Sequence, residues 1–91
     1  MTKTLHHRAC HLCEAICGLT IETTETDGNV AITSIKGDAL DTFSRGHICP
    51  KAVALQDIQN DPDRLRQPMR RVDSEWLPIE WDEAFALVAE R

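Results

Sequence analysis

The 91-residue chain has no tyrosine and only two tryptophans and two phenylalanines. It therefore lacks most of the large, rigid apolar side chains from which a small domain builds its core. Its apolar runs are only a few residues long, far short of the roughly 20 residues a membrane-spanning helix needs. Positive charge is scarce: 10 Lys and Arg stand against 15 Asp and Glu, for a net charge of -5. With no basic cluster longer than Arg70-Arg71, there is no footprint for a phosphate backbone, and nucleic acid is excluded as an expected partner. Met1 to Arg8 contains neither an apolar signal core nor a twin arginine, which predicts a reducing, cytoplasmic setting. Internal repeats and low-complexity segments are absent.

A chain this short buries only about 60–65% of its unfolded surface. A metal or a larger partner is therefore expected as an added stabiliser. The sequence offers four cysteines for that purpose. Under reducing conditions they are more naturally ligands than two disulfides.

The pattern predicts a small α+β domain. Lys3 to Ala9 reads as a strand leading into the cysteines. Leu19 to Glu25 and Val30 to Ile35 alternate in polarity around Asp27-Gly28-Asn29, which reads as a β-hairpin with a tight turn. Ala39 to His47 reads as a loop that returns the chain to the first cysteines. A helix is expected from Cys49-Pro50, because proline is accepted at the first helical position, where its missing N–H would be unpaired. Ala54 and Ile58 lie four apart along it, and Asn60-Asp61-Pro62 ends it. Asp63 to Val72 reads as an irregular, exposed segment closing in a short strand at Met69 to Val72. The last eleven residues carry Trp81, Phe85 and Val88 at helical spacing, with Asp82 and Glu83 in the first turn where the helix dipole favours them. That periodic pattern runs to Arg91 without a terminator, which is expected of a fragment of a longer polypeptide, or of a natural chain that ends in a fraying helix.

The cysteines are spaced Cys10-x2-Cys13-x3-Cys17, with Cys49-Pro50 following after a gap of 31 residues. Three closely spaced thiols can reach three corners of a [4Fe-4S] cluster, and one distant thiol can close the fourth. The proline after the remote cysteine matches cluster-binding runs. A zinc site is the main competitor, but structural zinc more often uses two facing Cys-x2-Cys knuckles and only one is present. A thioredoxin-like dithiol at Cys10 and Cys13 leaves Cys17 and Cys49 unexplained, and haem c is excluded because Glu14, not His, follows Cys13. Four cysteines serving as small core hydrophobes is the plainest alternative, though three within eight residues fit it poorly.

His6, His7, His11 and His47 are read as loop or hydrogen-bonding histidines rather than ligands. Lys51 falls in the first turn of the expected helix, two residues past a thiol, where its charge can raise a cluster's potential. On its own, a lysine there is most often a surface residue. Gly18 and Gly46 are read either as turns that free N–H groups for sulfides or as plain loop glycines.

Cys10-His11-Leu12-Cys13-Glu14-Ala15-Ile16-Cys17-Gly18-Leu19, together with Gly46-His47-Ile48-Cys49-Pro50-Lys51, resembles the N-terminal iron-sulfur domain of the prokaryotic molybdopterin oxidoreductases. That family includes formate dehydrogenases and nitrate reductases. The likeness continues through Asp61 to Arg71 and Trp76 to Phe85. It implies a single domain over 1–91, the N-terminal fragment of a much longer chain. It also implies that Cys10, Cys13, Cys17 and Cys49 bind a [4Fe-4S] cluster, with Lys51 between cluster and pterin on the electron route. The implied parent carries molybdopterin guanine dinucleotide with Mo or W, and the partners are its remaining domains and a redox protein. In such enzymes the catalytic metal ligand lies well beyond position 91, so this piece alone is not expected to catalyse. Trp76, Trp81 and Phe85 are expected to leave apolar surface exposed. A stand-alone zinc-binding structural or interaction module and a small ferredoxin are the other readings.

Overall fold

A computed structural model describes all of residues 1–91. Its first half is a three-stranded antiparallel meander, β1 (Thr2–Ala9), β2 (Gly18–Thr26) and β3 (Asn29–Gly37), with β2 in the centre. Helix α1 (Pro50–Asn60) packs against β3. A second hairpin, β4 (Met69–Val72) and β5 (Glu75–Pro78), leads to α2 (Trp81–Glu90). The chain is thus a small α+β domain with short antiparallel sheets and two helices. No helix is long and apolar enough to cross a membrane.

The expected hairpin turn forms at Asp27-Gly28, with Thr26 paired to Asn29 and both turn residues at positive φ, 52° and 79°. That backbone follows the right-handed strand twist, and Asp and Gly enter it at low cost. The strict alternation expected for β3 is broken by a bulge: Glu22 pairs with Ser34 but Thr23 with Ile32, so Thr33 is the extra residue. A bulge shifts side-chain parity by one. Ile32 and Ile35, on opposite parities in the sequence, therefore meet the same β2 face, opposite Thr23 and Ile21. Thr33 turns its hydroxyl to Glu22 Oε1 at 2.9 Å and Thr24 Oγ1 at 3.1 Å. The Thr33 hydroxyl, and then Lys3 Nζ at 3.1 Å, hold the Glu22 carboxyl below its usual range.

The core is thin. Cys10, Leu19, Ile35 and Ala52 form it, with Cys17, Ile21, Ile32, Ile48 and Leu55 packed around them. Helix α1 contributes Ala52 and Leu55, three apart, whereas Ala54, singled out by the i,i+4 reading, faces solvent and Ile58 is 53% exposed. Asn60 Nδ2 donates to the Ile32 carbonyl at 2.9 Å, fixing the end of α1 on the edge of β3.

The strand expected at Met69–Val72 is present and pairs with an unexpected one, β5, across Asp73-Ser74, with Asp73 at φ 56°. Helix α2 starts at Trp81, with the Trp81 and Phe85 ring centroids 5.7 Å apart. As expected, its apolar side stays open: Trp81, Phe85 and Val88 are 57%, 64% and 76% exposed, and Trp76 is also exposed. An Arg70–Glu83 ion pair at 3.4 Å links the helix to β4.

Leu19 is the one large side chain that is essentially fully buried, at 2% exposure. Leu19→Ala is expected to cost about 2–5 kcal/mol. In so thin a core that loss should abolish a cooperative urea transition followed by circular dichroism.

Candidate metal centre

Three of the four thiols lie in the loop that joins β1 to β2. The ladder brings Ala9 opposite Gly18, and one further backbone bond, Cys10 N–H to Cys17 carbonyl at 2.8 Å, closes the mouth of the loop. Cys10 and Cys17 therefore bracket the loop and Cys13 occupies its exposed tip. Between them Ile16 takes φ 49°, a left-handed conformation that a β-branched residue adopts only under strain. Cys10 and Cys13 line one side of an open cavity, together with His11 and Glu14.

Cys49 comes from a separate segment. It is the residue before α1, with φ -87° and ψ 165°, and Pro50 takes the first helical position as the sequence predicts. The N–H groups of a first helical turn have no partner inside the helix and favour negative charge. The Ala52 amide, then the Lys51 amide, and also the Lys51 ammonium hold the Cys49 thiol below its ordinary range. Lys51 is exposed in that first turn.

The segment between β3 and Cys49 folds back onto the cysteine loop. Asp38 N–H donates to the Gly18 carbonyl at 2.9 Å, and Gly18 N–H donates to Ser44 Oγ at 2.9 Å. Ser44 in turn donates from its N–H and its hydroxyl to Asp41 Oδ2, both at 2.7 Å. The Ser44 amide and then its hydroxyl lower the Asp41 carboxyl pKa. That contribution is full above the ordinary carboxylate range and is lost as pH falls through the lowered value. A Cβ on Gly18 would stand 2.6 Å from Asp41 Cβ, and one on Gly37 would strike the Gly46 carbonyl oxygen. The N–H of Gly18 itself is taken by Ser44, and the glycine is needed for close approach.

The return of the loop to the first cysteines is as expected, and it brings the segment leading to Cys49 to the end of the sheet that carries Cys10 and Cys17. Cys10 is in the core, Cys17 packs on it, and Ile48, next to Cys49, packs on the same cluster. All four thiols are free, and no group of three Cys, His, Asp or Glu side chains converges on one point as a ready metal site. Two of the histidines make side-chain contacts: His6 Nε2 lies 3.0 Å from Thr23 Oγ1, and His7 Nδ1 lies 3.3 Å from Asp38 Oδ2. Sequence reasoning missed Asp41 and Ser44. Their signal was the Asp-x-x-Ser spacing after Gly37, a common loop-capping pattern with no mark of a site.

Residues 4–61 match the molybdopterin oxidoreductase Fe4S4 domain family. With more than half of its length in the match, the chain belongs to that family. Among curated proteins it is 35% identical over 88 residues to the probable oxidoreductase YyaE of Bacillus subtilis, covering 96% of this chain and 13% of that protein. It is 36% identical over 85 residues to the nitrate-inducible formate dehydrogenase major subunit of Escherichia coli, covering 88% of this chain and 8% of that protein. Identity is 35% over 88 residues to a sulfite dehydrogenase subunit of Allochromatium vinosum, covering 90% of this chain and 9% of that protein. The chain thus spans 8–13% of the length of these relatives.

The environment of Cys49 has a direct consequence. Its alkylation rate in metal-free protein, followed by mass spectrometry against pH, should inflect below the ordinary thiol range. Lys51→Gln should move the inflection up only part of the way, because the Ala52 and Lys51 backbone amides remain.

Proposed function

We propose that this chain is a [4Fe-4S]-binding electron-transfer unit of a molybdopterin-dependent oxidoreductase, with Cys10, Cys13, Cys17 and Cys49 as ligands and Lys51 on the electron route. One observation carries the reading: Ile48 and Ala52, on either side of Cys49, pack in the same core cluster as Cys10 and Cys17, so an independent segment carries a fourth thiol, at a helix N-terminus suited to a thiolate, to the end of the sheet that bears the loop. The donor set fits the group, since four free thiols match the four iron corners of a cubane. When bound, such a cluster accepts and releases one electron at a time.

The chain's own residues have distinct duties. The β1–β2 ladder fixes Cys10 and Cys17, the amides of α1 favour the Cys49 thiolate, and Lys51 adds positive charge beside it. Four free thiols suit a reducing, cytoplasmic setting. The family relation supports a parent in which 1–91 is one N-terminal domain, the pterin guanine dinucleotide with Mo or W sits in the remaining domains, and a redox protein exchanges electrons. Because the relatives' names include both formate and sulfite dehydrogenases, the reading commits to electron relay rather than to a substrate, and the chain alone is not expected to catalyse.

Anaerobic reconstitution with iron and sulfide should give about four irons and four sulfides per chain and a broad band near 400 nm. Serine at Cys10, Cys13, Cys17 or Cys49 should reduce that iron content. Lys51→Gln should keep the iron and lower the cluster's reduction potential. A single zinc per chain, with no colour after reconstitution, would replace the reading with a structural four-cysteine zinc module.

A further inference from the structure

We infer that Asp41 and Ser44 are positioning residues for the cluster site, forming a latch that holds the Cys49 segment against the loop bearing the other three thiols. The inference rests on the cluster reading of the four cysteines. Ser44 makes a side-chain hydrogen bond between the two segments: its hydroxyl accepts from the Gly18 N–H, one residue after Cys17, and donates to Asp41 Oδ2.

The link from Ser44 to Cys49 is short and bonded. Arg45 N–H donates to the Asp41 carbonyl at 3.0 Å, and His47 N–H to the Ser44 carbonyl at 2.9 Å. Arg45 and Gly46 both turn at positive φ, 50° and 88°, and Ile48 then seats against the core immediately before Cys49. On the other side, Asp41 fits only because Gly18 has no Cβ. The two thiol-bearing segments are otherwise joined by backbone bonding of Asp38 to Gly18, by the His7–Asp38 contact at the end of β1 and by the apolar contact of Ile48. Loss of the Ser44 hydroxyl would leave the part-buried Gly18 N–H without its acceptor, so the loop should open locally while the sheet persists.

The test uses this chain with Ser44→Ala, Ser44→Thr and Asp41→Asn, and two readouts. The first needs no metal: trypsin cuts after Arg45, inside the latch, and the control sites after Arg64 and Arg71 lie outside it. A net hydrogen bond of ordinary strength corresponds to about a fivefold change in an opening equilibrium. Cleavage after Arg45 should accelerate by about that factor in Ser44→Ala, by less in Asp41→Asn, whose amide oxygen still accepts from Ser44, and stay near the unsubstituted rate in Ser44→Thr, which keeps the hydroxyl. The second readout is iron release to a ferrous chelator after reconstitution, which should follow the same order.

Unchanged cleavage after Arg45 in Ser44→Ala would overturn the latch, as would equal acceleration at Arg64 and Arg71, which reports general unfolding. Faster cleavage with unchanged iron release would overturn its role at the site. Failure of the unsubstituted chain to take up iron strikes the cluster reading, and with it the latch's service to a cluster, while cleavage after Arg45 still decides whether the latch exists.

Discussion

Close backbone approach at Gly18 and Gly37 governs where the second part of the thiol set can lie. The sheet by itself delivers Cys10, Cys13 and Cys17 in one hairpin loop, but nothing in its hydrogen bonding requires Cys49 to be near. Nearness comes from residues 38–48, which lie flat against the end of the sheet because two positions carry no Cβ. Asp41 occupies the space a side chain on Gly18 would take, and the Gly46 carbonyl occupies the space beside Gly37. Added Cβ atoms at such distances force something to shift, and backbone shifts of that kind typically cost about 1–3 kcal/mol.

That packing matters because the core has little else to give. Six of 91 residues are buried, and the Cα radius of gyration is 17.2 Å, against about 12 Å for a compact chain of this length. The excess comes from β4, β5 and α2, which extend from the first unit with their apolar residues open to solvent. The first unit relies on its ladders, on the Glu22–Thr33 and Thr24–Thr33 contacts that stabilise the bulge, and on the few side chains around Leu19. An unfolding free energy built this way is small, so ordering of a thiol loop and stability of the fold are closely coupled.

Much of this was legible in the sequence. The Asp27-Gly28 turn, the start of α1 at Pro50 and its end at Asn60 rest on local backbone chemistry, and local rules suffice for them. Two features were not legible for physical reasons. The bulge at Thr33 depends on which face of β3 meets α1, a tertiary fact that alternation alone cannot encode, and it reverses the parity of Ile32 relative to Ile35. Strand β5 was hidden because Glu75 to Pro78 is too short for a periodic signal and ends in a residue that cannot donate, so its pairing with Met69–Val72 supplies what composition does not. At the site, spacing singled out the four cysteines, but the bonds that steer Cys49 run through Asp41 and Ser44, whose residue types are ordinary in any loop.

The four thiols are not held alike, and the difference follows from the elements that carry them. Cys10 is part of the apolar core and Cys17 is tied to it through the last backbone bond of the β1–β2 ladder. Cys49 is set by the start of a helix whose Ala52 is itself in that core. Cys13 alone rides on an exposed tip, beside Ile16 in a strained backbone conformation. Strain in a loop otherwise closed at its mouth is released most readily by moving the tip. The fold therefore anchors Cys10 and Cys17 through the β1–β2 ladder and Cys49 through α1, and leaves Cys13 adjustable. Such an arrangement lets a loop close around a bound group without disturbing the sheet beneath it.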